Sequence, residues 1–198
     1  MLNNVDKNLI LKRFKHHKII FCGDLGYQLP PVEGFEFVVG NIPRFVHRKN
    51  YRCQCTKLQN ILTALRKLIK TDYQGSIKDL IIKYGFTITD KNIIPYNVED
   101  LIITKTHKNK DFYSQKYKDI EKYIVKENTR DYSNGEIIIG KKPDKVYCEL
   151  QHAFTIHSIQ GETCKTNLFI DINKMNSLKM LYTALSRAKL FSQIKIIE

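Results

Sequence analysis

The sequence predicts an α/β fold carrying a small β insertion, and three observations lead there. Short β-branched runs, Lys18 to Cys22 (KIIFC), Asp100 to Thr104 (DLIIT) and Leu168 to Asp171, read as buried strands that end in loops. Segments with apolar residues at three- and four-residue steps alternate with them. Three further strand-like runs, crowded between Tyr123 and Leu150, interrupt that alternation. The chain has 198 residues, 42% of them hydrophobic, enough for one real core and too many for a disordered tail.

Along the chain, the first strand stops at Gly23-Asp24, and Pro30-Pro31 prevents a helix from starting early in the loop LGYQLPPVEG that follows. Leu58, Ile61, Leu62, Leu65, Leu68 and Ile69 form one stripe, so Thr56 to Lys70 is an amphipathic helix with Lys57, Arg66, Lys67 and Lys70 off the stripe. Asp111 to Tyr123 alternates charged and aromatic residues at near-helical spacing. Tyr123 to Val125 and Glu136 to Ile139 flank Tyr132-Ser133-Asn134-Gly135, and Asn-Gly is a strong hairpin signal. Lys145 to Leu150 supplies a third strand of the insertion. A strand at Leu168 to Asp171, a helix around Ser177 to Ala188 and a strand at Gln193 to Ile197 return the chain to α/β.

The charge balance is basic: 33 Lys and Arg against 20 Asp and Glu give a formal charge of +13. The stretches Phe37 to Thr71 and Ile172 to Ile197 contain no acid, a distribution that attracts nucleic acid or nucleotide phosphates; a solvated Lys-rich face is the alternative reading of charge alone. No run approaches the roughly 18 to 20 apolar residues of a membrane span. Lys and Arg scattered through the first twenty residues leave no secretory signal, which places the protein inside a cell, with nucleus, cytoplasm and viral replication site all open. Cysteines 22, 53, 55, 148 and 164, an odd number, read as buried free thiols rather than a disulfide framework. No metal site is expected: Cys53 and Cys55 lack a second pair at a finger-like interval, and His152 and His157 lack a third ligand.

Three segments carry chemistry, each expected at the carboxyl end of a strand or on a helix facing it. In GDLGYQLPPV, Gly23 to Val32, a neutral amide, Gln28, is held at a rigid proline corner where it can sense a phosphate or orient a water. In AFTIHSIQGET, Ala153 to Thr163, hydroxyls and backbone amides cluster before Gly161 in a manner suited to phosphate. In LYTALSRAK, Leu181 to Lys189, Arg187 sits near a helix end, either solvated or reaching a nucleotide phosphate.

In this order the three segments resemble motifs III, V and VI of superfamily 1 DNA helicases, on the RecD-like and PIF-family branch that moves 5′→3′. KNYRCQCTKLQNILTALRKL resembles the family's motif IV. DLIITKTHKNKDFYSQKY resembles the strand and Thr-rich loop before its β insertion, and Ser133-Asn134-Gly135-Glu136 the hairpin turn within that insertion. The resemblance implies a P-loop NTPase fold: residues 1–40 would end a first RecA-like lobe, and residues 41–198 would form the second, with the β insertion at about 116–150. It implies ATP and Mg²⁺ as cofactors and single-stranded DNA as partner. Gln28, Arg52 and Arg187 would meet the γ-phosphate, Gly161 and Glu162 would border the nucleotide, and Thr155, His157 and Ser158 would hold strand phosphates, with Thr104 and His107 further along the DNA path.

The chain departs from the family in lacking the Walker A loop GxxGxGKT and the Walker B Asp-Glu. Met1 is expected to match an internal Met of the Walker B segment, making this the carboxyl-terminal part of a helicase. Walker A and B, with the Mg²⁺ ligands, would then lie on an upstream segment or a separate chain. Alone, the chain is expected not to hydrolyse ATP. The alternatives are a non-catalytic nucleic-acid-binding remnant of a helicase and an inactive gene fragment.

Overall fold

The computed structural model describes residues 4–23, 26, 27, 29, 43, 45 and 50–198. Gln28, Pro30-Pro31 and Met1 lie outside the described residues. Helix α1 (Asn4–Arg13) comes first, then α2 (Thr56–Lys70), α3 (Ile77–Lys83), β1 (Ile88–Thr89), β2 (Leu101–Thr104), α4 (His107–Lys116), β3 (Lys122–Val125), β4 (Ile137–Ile139), β5 (Cys148–Leu150), β6 (Ala153–Thr155), β7 (Leu168–Asp171), α5 (Leu178–Leu185) and β8 (Ile194–Ile197). Strands β1, β8, β7, β2 and β6, in that spatial order, make a five-stranded parallel sheet; β4, β3 and β5 make a separate antiparallel one.

Both faces of the parallel sheet are covered, so its strands β2, β6 and β7 are buried at every position rather than at alternate ones. Leu101 and Ile103 of β2, Leu168 and Ile170 of β7, and Ile194 and Ile196 of β8 join a core with Leu58, Ile61, Leu62 and Leu65 of α2, Leu80 and Ile81 of α3, and the apolar face of α5. Ile102 and Phe169, pointing the other way, meet Tyr113 of α4. Leu65 and Ile103 are completely buried. Leu65→Ala is expected to cost about 2 to 5 kcal/mol in urea unfolding, because a leucine-sized cavity opens where α2 meets α5.

Local chemistry sets the helix starts. The Thr106 hydroxyl accepts from the Asn109 amide, and Ser177 does the same for Lys179. The first cap starts α4 at His107, earlier than the charged and aromatic alternation from Asp111 suggests, and the helix ends at Lys116. Gly135 takes a positive φ of 90° in the hairpin between β3 and β4, a region that favours glycine at the Asn-Gly turn.

Two expectations need correction. Lys18 to Cys22 forms no strand, and Ile20 is 86% exposed. Every pair of the parallel sheet is made by strands from β1 onward, and among the described residues no sheet edge pairs with this run. Of the cysteines, Cys53, Cys148 and Cys164 are buried, but Cys22 is exposed and Cys55 is intermediate at the N-cap of α2.

The antiparallel sheet is pinned to the parallel one by a buried ammonium. Lys122 of β3 is 2% exposed, and its Nζ donates to the Asp100 carbonyl at 2.5 Å and to the Tyr96 hydroxyl at 3.2 Å. Tyr96 also meets His152 Nδ1 at 3.0 Å and packs its ring on Tyr117. Burial holds Lys122 down to about 8, with Asp100 opposing the shift. Burial and the nearby Lys122 charge hold His152 down to about 4.

Candidate nucleotide and nucleic-acid site

Three distant segments converge at one end of α5. The Gln54 amide donates to the Lys189 carbonyl and the Cys164 amide to the Arg187 carbonyl, which ties the stretch before α2, the stretch before β7 and the end of α5 into one unit. Asn50 prepares the first segment by accepting from the amides of Arg52 and Cys53 through its side chain. Gly161 prepares the second: its φ of +101° turns the chain where other residues would be strained.

Two guanidinium groups meet there. Arg52 Nε donates to Thr163 Oγ1 at 2.9 Å, Nη1 to the Ser186 carbonyl at 3.1 Å and Nη2 to the Gly161 carbonyl at 3.3 Å. Arg187 Nε donates to the Thr183 carbonyl at 3.1 Å, Nη1 to the Glu162 carbonyl at 3.4 Å and Nη2 to Ser186 Oγ at 2.8 Å. The acceptors are carbonyls and hydroxyls throughout, and among the described residues neither arginine forms an ion pair. Carbonyls in the last turn of α5 carry partial negative charge, which helps to hold a cation there. Even so, Arg187 is 1% exposed and is held down to about 10, first by burial and then by the like charge of Arg52, with Tyr182 and Glu162 opposing. It remains protonated at neutral pH.

The second group of residues lies at the carboxyl ends of β2 and β6. Thr104 and Thr155 are register partners, and the Ile156 amide donates to the Thr104 carbonyl at 3.0 Å. Thr155 begins a tight turn: its Oγ1 accepts from the Ser158 amide, while Ser158 Oγ donates to the Thr155 carbonyl at 3.0 Å. Thr104 is fully buried and its hydroxyl donates to the Thr106 carbonyl, whereas Ser158 and His107 are exposed. His157 is half-buried, and burial lowers its pKa, so the neutral ring is favoured.

Arg52, Gly161, Glu162 and Arg187 are therefore brought together, as are Thr104, Thr155, His157 and Ser158, but in two places rather than one. The sequence expects each chemical segment at the carboxyl end of a strand or on a helix facing it. The Thr155 segment follows β6, while α5 leads from β7 back to β8 and carries Arg187 toward Cys164, whose neighbour Asn167 abuts the amino end of β2. Arg187 is also buried, against the solvated alternative for a helix-end arginine. Gln28 lies outside the described residues. Thr163 and Ser186, which hold the guanidinium groups, are not singled out by the sequence; their one signal is a hydroxyl in or beside a quoted motif. Among the described residues no three His, Cys, Asp or Glu side chains converge, and no helix is long and apolar enough to cross a membrane.

Comparison with solved structures locates this architecture. A Pif1 helicase from Candida albicans superposes with a TM-score of 0.61 at 16% identity, over 89% of this chain and 63% of that one. The chain has the fold of part of a Pif1 helicase. Its parallel sheet and flanking helices match a RecA-like lobe of Pif1. A Bacteroides Pif1 bound to ssDNA matches with a TM-score of 0.55 at 16% identity, over 75% of this chain and 50% of that one. A Bacteroides Pif1 in complex with ADP-AlF3 and ssDNA matches with a TM-score of 0.53, again at 16% identity and over the same shares. The chain thus spans 63% of the Candida Pif1 and half of the Bacteroides proteins. No family model and no curated protein matches the sequence.

Proposed function

We propose that this chain is the carboxyl-terminal part of an ATP-dependent DNA helicase, contributing two arginine fingers to the nucleotide and part of the grip on single-stranded DNA. The observation that carries the reading is the pair Arg52 and Arg187. Two guanidinium groups are held against neutral acceptors, one of them buried, with no carboxylate in ion-pair contact with either among the described residues. A phosphate relieves that like-charge contact, and guanidinium forks suit it geometrically. Solved relatives of the same fold, captured with ADP-AlF3 and ssDNA, support the choice of nucleotide and strand.

The donor set fits ATP. Arg52 and Arg187 would hold the terminal phosphate, with Gly161 and Glu162 at its border, and Gln28 would read the same phosphate from the other lobe. Bound ATP would supply the free energy of phosphoryl transfer, and the arginines would stabilise charge on the transferring group. Mg²⁺ finds no converging carboxylates among the described residues. Its ligands, with Walker A and B, would belong to an upstream segment or a separate chain. At the other end of the sheet, Thr155, His157 and Ser158, with His107, would line the strand, and buried Thr104 would support the turn through its carbonyl, which accepts from the Ile156 amide. A neutral His157 and hydroxyl groups suit hydrogen bonds to phosphate rather than ion pairing.

The test is fluorescence anisotropy of the purified chain with labelled oligo(dT) across a salt series. Binding is expected to be saturable, with log K falling against log salt by about 0.7 for each neutralised phosphate. His157→Ala and His107→Ala are expected to weaken it several-fold, whereas Arg187→Lys leaves it unchanged. Absence of saturable binding, or native affinity retained in both histidine variants, would overturn the strand assignment.

A further inference from the structure

Ser186 touches both arginines. Its carbonyl accepts from Arg52 Nη1 at 3.1 Å, its hydroxyl accepts from Arg187 Nη2 at 2.8 Å, and the same hydroxyl donates to the Thr183 carbonyl at 2.8 Å. Arg187 Nε donates to that carbonyl too, so the Arg187 fork, Ser186 Oγ and Thr183 O form a closed ring of hydrogen bonds. Ser186 is also the C-cap of α5, with its amide bonded to Tyr182 O, which fixes its backbone. The residue is 8% exposed.

A fixed backbone with a satisfied hydroxyl is a rigid mount. Two like charges drift apart unless something sets their spacing, and long arginine side chains lose much rotamer freedom when held. We infer that Ser186 is a positioning residue, whose carbonyl and hydroxyl set the Arg52 and Arg187 guanidinium groups side by side so that both meet one phosphate group. The inference rests on reading those arginines as a phosphate site. Thr163 completes the mount on the Arg52 side through Nε. Removing the Ser186 hydroxyl leaves the Arg52 contact to the main chain intact and frees the Arg187 fork alone.

Isothermal titration of the purified chain with inorganic pyrophosphate tests this, using Ser186→Ala and the equal-volume pair Ser186→Thr and Ser186→Val. Ser186→Ala and Ser186→Val are expected to bind about tenfold more weakly than the native chain, and Ser186→Thr within about threefold of it. A merely structural role would make Thr and Val fail together, so rescue by Thr alone marks the positioning role. Equal affinities for Ser186→Thr and Ser186→Val would overturn the positioning role and leave the arginine pair as a phosphate site. Failure of the native chain to bind pyrophosphate would overturn both.

Discussion

Arg187→Lys is expected to lower the affinity of the chain for pyrophosphate between about tenfold and a hundredfold, although the charge is kept. Lysine supplies a point charge where arginine supplies a planar fork, and it cannot reach Thr183 O, Glu162 O and Ser186 Oγ at once. Arg187→Met is expected to abolish the binding. The same substitution should leave folding stability unchanged or raise it, because an unpaired buried charge is replaced by an apolar chain of similar length. In a complete motor containing this lobe, loss of the finger is expected to slow ATP hydrolysis by about 10³ to 10⁵. Parallel calorimetry and urea unfolding separate the two effects. A variant that loses stability in step with affinity would show that Arg187 holds the fold together rather than a phosphate.

The second large effect is on stability against pH, through the buried group around Lys122. His152 is completely buried and neutral, with its Nδ1 on the Tyr96 hydroxyl. Its folded-state pKa of about 4 lies below the unfolded value of 6.5. The unfolded chain therefore binds the proton first as pH falls, and the stability present above pH 6.5 is lost on the way down to 4. The full loss is about 3 kcal/mol, of which about 2 kcal/mol falls between pH 7 and pH 5. Lys122 acts in the same direction at the other end of the scale. Its pKa of about 8 lies below the unfolded 10.5, so stability should rise as pH climbs through that window. Urea midpoints at pH 5, 7 and 9 are expected to increase in that order. In Lys122→Met the rise from 7 to 9 should flatten, and at pH 7 the variant should be as stable as the native chain or more so. Identical midpoints at pH 5 and 7 would mean that His152 is not held neutral.

Where one periodicity dominated, the sequence could be read to the residue. The helix Thr56 to Lys70 matches α2 at both ends, because Leu58, Ile61, Leu62 and Leu65 form an uninterrupted stripe that packs against α5. Leu168 to Asp171 is equally legible, since a strand buried on both faces shows an unbroken apolar run, here Leu168 to Ile170. Short or tertiary-dependent elements were hidden. Helix α3 has seven residues, too few to show a period, and β6 has three residues inside a segment that reads as polar loop. The KIIFC run has every local mark of a strand, yet pairing needs a neighbour and none of the described sheet edges provides one. In the candidate site, resemblance to helicase motifs pointed to Arg52 and Arg187 but not to their surroundings. Burial of a charge at position 187, and of another at Lys122, follows from which segments meet in three dimensions, and neither leaves a local pattern. The placement of the arginines and the Thr104 and Thr155 pair at different ends likewise follows from the direction of α5.

Phosphate release from ATP by the purified chain, assayed with Mg²⁺ and oligo(dT), tests the central claim most directly. A carboxyl-terminal part that supplies arginine fingers and a strand grip, with the Walker groups elsewhere, is expected to bind the oligonucleotide and release no phosphate above background. Mg²⁺-dependent release that disappears in Arg187→Ala would contradict the account, because the whole hydrolytic machinery would then reside in this chain.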